Sequence, residues 1–276
     1  MSAVVEFERS ALARPDTARG TFRAAIGSEW TKLRSVKSTV WSLMITIVIV
    51  VGLGALLCAA IVARWDQLDP IDRLTFDPTA HSLSGIFLAQ LAIGVLGVLV
   101  IGSEYTTGAI RLTFAATPRR RTVIAAKATV LAGVGFVVSV IACFVAFGIG
   151  QVILQGKHIG TSLGRPEVLR AVLGGSVYLT AVAIIGFSMA TVVRRTPGAL
   201  AALFAVVLVL PILSNALPSP WDNNVSKLLP ATAGETLFST RASGELLTTG
   251  HAALVLAIWV AATFGAAMVA VSRRDV

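Results

Sequence analysis

The chain has 276 residues, of which 55% are hydrophobic and 13% charged, with a formal net charge of +9. Soluble globular domains carry roughly 25% charged residues, and a mean hydropathy of +0.83 lies far to the apolar side of them. The composition argues against a water-soluble enzyme or a nucleic-acid-binding domain and points to an integral membrane protein, whose surplus of positive charge reads as topology against anionic lipid.

Residues 1–20 contain Pro15 and Gly20 and no hydrophobic periodicity, so a mobile tail is expected there, without a cleavable signal peptide because no apolar run is present. Over 21–37 the pattern changes. Phe22, Ile26, Trp30 and Leu33 recur at helical spacing, while Arg23, Glu29, Lys32, Arg34 and Lys37 fall largely outside that stripe. This predicts an amphipathic helix lying in the membrane interface, with Trp30 at headgroup depth and the basic residues meeting anionic lipid.

From residue 38 onward, six windows of 23 to 29 residues contain no Asp, Glu, Lys or Arg: 38–63, 78–103, 128–156, 171–193, 196–221 and 246–272. About 20 apolar residues in a helix cross a hydrocarbon core of roughly 30 Å. The windows therefore predict an all-α membrane domain over 38–276, with spans at about 40–63, 83–103, 122–155, 169–193, 197–217 and 250–272. A β-barrel is excluded, since runs such as 40–63 and 199–213 lack the alternation that barrel strands need. With the N-terminus inside, 16 Lys and Arg residues fall on inner segments and 7 on outer ones, which predicts both termini in the cytoplasm. Ionisable residues are expected to be absent from the span interiors, which disfavours a proton-coupled carrier with its own carboxylate relay.

Between the spans, 64–81 carries Asp69 before Pro70 and Asp77 before Pro78 and is expected to be a solvated loop of turns. The longer outer connection over 218–249 leaves room for short helices at the outer mouth. On the inner side, Thr117 before Pro118 and Thr196 before Pro197 each place an N-cap and a first-turn proline ahead of an apolar run. Arg119, Arg120, Arg121, Arg194 and Arg195 beside them suit anchoring in the headgroups.

Cys58 and Cys143 fall within spans and are expected to be small packing residues. No phosphate-binding G-x-x-x-x-G-K-[ST] motif occurs: Gly156 and Lys157 are preceded by Gly150 one place too early and followed by His158 rather than a hydroxyl residue. His81, His158 and His251 lack the H-E-x-x-H spacing, and no G-x-S-x-G occurs. No enzyme activity, metal or cofactor is expected in this chain. Within the spans, Gln90, Gln151 and Asn215 either face a substrate path or join helices by hydrogen bonds. Gly94, Gly97, Gly133, Gly135, Gly174, Gly175 and Gly265 are candidates for close helix packing.

Three features in this order carry a resemblance: a basic lead-in with Ser28, Glu29, Trp30, Lys32, Leu33 and Arg34; Glu104 and Tyr105 with Gly108 and Arg111 after the second span; and Pro230 with Ala233 and Gly234 before the sixth. Over about residues 20–276 the chain resembles the permease subunits of bacterial type-2 ABC exporters. The resemblance implies a permease that dimerises with a copy of itself or a related permease and binds two copies of a separate ATPase, which would carry the ATP and Mg. The interfacial helix would be the family's elbow, and 104–121 its coupling loop, with Glu104, Tyr105, Gly108, Ile110, Arg111 and Phe114 as docking residues. The residues agree with such a role. Tyr105, Ile110, Leu112 and Phe114 are apolar in a segment too polar for lipid, and Ile110 and Phe114 share one helical face, suited to a groove in a partner. Glu104 is expected to pair with Arg111 or with a partner's arginine, and Gly108 to permit a bend. The alternative class is a non-transporting assembly factor or sensor that recruits a soluble partner through the same loop; an intramembrane enzyme is the weakest reading. A multi-pass protein of a bacterial cytoplasmic membrane follows as the expected location.

Overall fold

A computed structural model describes residues 18–116, 119–214, 216–218, 221–240 and 247–273. Every regular element among them is helical, and six helices are long and apolar enough to cross a membrane, so the chain is an all-α multi-pass membrane protein. The lead-in helix α1 (Ala18–Ser35) ends at Val36, whose extended backbone breaks it from the first span, α2 (Lys37–Arg64). The second span is α5 (Ile86–Thr107), the third α7 (Arg120–Gln155) and the fourth α8 (Pro166–Val193).

The fifth span is composite. Helix α9 (Thr196–Phe204) runs into a π-helical stretch over Ala205–Val209 and then into α10 (Leu210–Ser214). Pro211 supplies the reason: it has no N–H to give to the turn before it and its ring crowds that turn, so the helix widens there. The sixth span is α13 (Thr249–Arg273).

Packing follows composition. Helix α8 is the most buried of the six and α5 the next, and these two pack along each other, while α2, the fifth span and α13 leave most of their apolar surface facing outward, as lipid-facing helices do. The α5–α8 contact is close because it is built on small residues. A methyl group added at Gly97 would overlap the Ala183 carbonyl, and one at Gly186 would press on the Gly94 carbonyl. Gly174 meets Leu237 in the same way, whereas Gly133 and Gly265 have open space around them and make no such contact.

The end opposite the arginine-rich connections is capped by short helices. Asp69 and Asp77 were read as loop formers, yet Pro70 and Pro78 begin helices α3 (Pro70–Thr75) and α4 (Pro78–Ser82), because proline fits the first helical turn, where no N–H partner is needed. Asp77 is the cap of α4, accepting from the N–H groups of Thr79 (2.9 Å) and Ala80 (3.1 Å), and it also accepts from Thr240 N–H at 2.8 Å. It thereby ties α4 to the chain leaving α12 (Pro230–Phe238), which follows α11 (Trp221–Ser226) in the long connection. Arg170 adds a second tie, donating to Thr249 Oγ1 and to the Ser239 carbonyl. Asp77→Ala is expected to cost about 2 kcal/mol through loss of the cap and an unsatisfied Thr240 N–H, with Asp77→Asn milder, as read by thermal unfolding in detergent.

Pro230, Ala233 and Gly234 also gain a physical meaning. Proline starts α12, and Ala233 and Gly234 are buried, Gly234 so close to the Tyr178 ring that a Cβ there would overlap it. Two boundary readings shift. Helix α9 is capped by Arg195 rather than Thr196, with Pro197 still in its first turn. Helix α7 starts at Arg120 with Arg119 at the cap, while Thr117 and Pro118 lie outside the described residues.

Candidate functional site

At the arginine-rich end, the apolar run of α5 gives way to Ser103, Glu104 and Tyr105, and the helix stops at Gly108, whose φ of 71° is a left-handed conformation natural to glycine. The chain turns at once into α6 (Ala109–Ala116), a short amphipathic helix. Ile110 and Phe114, expected to face a partner, are instead 1% and 7% exposed and belong to this chain's own core. They seat α6 against the ends of α5 and α7, and the Arg120 guanidinium lies 5.7 Å above the Phe114 ring. What α6 offers outward is Arg111 and Leu112, the latter 76% exposed.

Glu104 does not reach Arg111. Its Oε1 accepts from Lys127 Nζ at 2.6 Å and from Lys32 Nζ at 3.5 Å. Lys127 Nζ also donates to Glu29 Oε2 at 2.6 Å, and Lys32 Nζ to Glu29 Oε1 at 3.1 Å. Two carboxylates and two ammonium groups thus close a neutral cluster joining α1, α5 and α7. Lys127 is 2% exposed, and Glu29, 7% exposed, is buried in α1. In the lead-in helix, Phe22, Ile26 and Leu33 are partly buried, while Trp30 stays 51% exposed, free to meet a headgroup layer.

Lys127 corrects the expectation of charge-free span interiors, for it stands two turns into α7. A 36-residue helix is about 54 Å long, well beyond a hydrocarbon core of about 30 Å, so its first turns stand at headgroup level. Even there a lone buried ammonium would be costly, and the two carboxylates offset that cost. Partial burial pulls the Lys32 ammonium's pKa down, but the hydrogen bond it donates to Glu29 and the charges of Glu104 and Glu29 outweigh it and leave the pKa above its ordinary value. Its share of stability is therefore complete at neutral pH and is lost only as pH climbs through that raised value. A second bridge lies nearby. Arg194, in a left-handed conformation at the end of α8, has its guanidinium 5.7 Å above the Tyr105 ring and donates to the Ala270 carbonyl of α13.

A cleft of about 370 Å³ opens beside the charged cluster, between the α1–α2 junction, α5 and α7. The residues read as a candidate substrate path lie elsewhere. Gln90 donates to the Phe87 carbonyl and accepts from Tyr178 Oη. Gln151 donates to Ser82 Oγ and the Pro78 carbonyl and accepts from Thr161 N–H. Both are buried joints between elements, and Asn215 lies outside the described residues. The cluster residues that sequence reasoning passed over as site residues are Glu29, Lys32 and Lys127. The available signal was that Glu29 and Glu104 are the acidic residues among the otherwise basic connections of this end between residues 20 and 200.

No curated protein matches this chain. A family model described as ABC-2 family transporter protein matches residues 25–213, a stretch that holds the C-terminal part of α1, the first four spans, nearly all of the fifth and the whole Glu29–Lys32–Glu104–Lys127 cluster, and the chain accordingly belongs to the ABC-2 transporter family.

Proposed function

We propose that this chain is the membrane-spanning permease subunit of an ATP-driven exporter in a bacterial cytoplasmic membrane. In this reading its arginine-rich end faces the cytoplasm, two permease subunits form the substrate path, and each binds a separate ATPase subunit through the loop over 104–121. Family membership supports a permease role, and the sequence carries no phosphate-binding motif that would let the chain hydrolyse ATP itself.

The observation that carries the coupling proposal is the seating of α6. It is a short helix at the turn between two spans, anchored inward by Ile110 and Phe114, with Arg111 and Leu112 turned outward. A push on its outer face would reach α5 through Gly108, α7 through Phe114 and Arg120, and α1 through the charged cluster. Close-packed contacts of this kind transmit displacement rather than absorb it. Co-purification tests the reading: the tagged chain, expressed in its own host and extracted from the membrane in mild detergent, is expected to retain an ATPase subunit in equimolar amount. Recovery of the chain without any ATPase would overturn the proposal.

A further inference from the structure

The cleft beside the charged cluster has the chemistry of a binding site. One wall is apolar, formed by Leu96, Leu99 and Val100 of α5 with Val130 of α7, and the opposite lip at the α1–α2 junction carries Ser35, Ser38 and Ser42. The floor is the cluster itself. Its volume of about 370 Å³ lies at the small end of the range for ligand pockets, enough for a head group and the first part of a tail.

The polar groups around the cleft set the ligand class. Glu104 lines the cleft, and while its Oε1 is held by Lys127 and Lys32, its Oε2 is buried with no hydrogen-bond partner. A buried carboxylate oxygen without a donor is costly and uncommon in native structures. The hydroxyls nearby extend the pattern. Ser35, Ser42 and Ser103 each donate their proton to a backbone carbonyl, of Lys32, Ser38 and Leu99 respectively, so what they have left to offer is a lone pair. The Ser38 and Thr39 hydroxyls line the same cleft with no hydrogen-bond partner among the described residues, so a ligand head meets acceptors and donors together.

Charge decides the head. Lys32 and Lys127 already balance Glu29 and Glu104, so a cationic head would leave three cations against two carboxylates in a partly desolvated place, and an anionic head three anions against two ammonium groups. The geometry points to a binding site for a neutral amphiphile whose head is rich in hydroxyl or amide groups, the head beside the charged cluster and the serine lip and the tail along the α5 wall. Such a molecule is either a neutral lipid of the bilayer or the exported cargo. The inference deepens the permease reading by giving that permease a ligand class, but binding itself needs no ATPase.

The test uses the purified full chain, without ATPase, in phosphatidylcholine nanodiscs with a photoactivatable decyl glucoside below its micellar concentration. Labelling is expected in the peptide holding Leu99 and Val100, displaced at least tenfold less well by decylamine or decyl sulfate than by unlabelled glucoside. Leu99→Trp, which fills the cleft from a side chain that does not pack into the core, is expected to cut labelling about tenfold, and Val100→Phe serves as a second cleft-filling variant. Equal displacement by all three amphiphiles, or unchanged labelling in both folded variants, would overturn the site. ATP-dependent uptake of the glucoside into vesicles holding chain and ATPase would make the ligand cargo, and binding without uptake would make it a resident lipid; either outcome supports the site. A failed labelling experiment leaves the co-purification result untouched, and a failed co-purification leaves this site standing.

Discussion

Lys127→Met is expected to destabilise the chain by about 3–5 kcal/mol, because it removes the buried cation that holds both carboxylates most closely and leaves the half-exposed Lys32 alone to balance Glu29 and Glu104. Removing a partner from a buried pair costs far more than removing the whole group. The triple variant Lys127→Met, Glu29→Gln, Glu104→Gln is accordingly expected to recover most of the loss, since the charge it leaves in the cluster is the Lys32 ammonium, 44% exposed and able to stay solvated. Thermal unfolding in detergent with a double-mutant cycle across Glu29, Glu104 and Lys127 checks this. A single Lys127→Met variant as stable as the parent would mean that the cluster is solvated and contributes little. The triple variant adds a functional reading: if the cluster also links α1 to the spans, it should fold normally yet transport poorly at an ordinary rate of ATP hydrolysis.

The spans were legible because insertion into lipid tolerates few charges, so the gaps between ionisable residues trace the helices almost directly. The same method hid the cluster. A window that opens after Lys127 treats that residue as a boundary, whereas its partner Glu29 is 98 positions away and meets it only through packing. Local pattern was likewise silent on the direction of α6. Spacing placed Ile110 and Phe114 on one face, but an apolar face can seat a helix on its own chain as readily as on a partner, and only the packed structure showed the former. At the opposite end, Asp69–Pro70 and Asp77–Pro78 read as turns because proline ends helices; it starts them equally well, and Asp77 supplies the cap. The glutamines were ambiguous until their partners were known, since a buried amide can serve cargo or a neighbouring helix with the same atoms.

The direction of α6 separates docking from folding, and this gives the second large expected effect. Arg111→Glu combined with Leu112→Asp changes two exposed side chains that fill no space within the chain, so stability is expected to move by no more than about 0.5 kcal/mol for each. Association with the ATPase is expected to weaken by at least about 2 kcal/mol, roughly 30-fold, because arginine is among the residues enriched in interface hot spots, the lost leucine removes apolar contact and the reversed charge adds repulsion. Ile110→Ala should show the opposite pattern: its side chain is 1% exposed, and truncation is expected to cost about 2–5 kcal/mol of fold stability before any effect on the partner. Binding of the purified ATPase to each variant in nanodiscs, measured beside its melting temperature, separates the two effects. Unchanged affinity in the Arg111 and Leu112 double variant would remove α6 from the docking surface and leave it as a strap that only closes the end of the bundle.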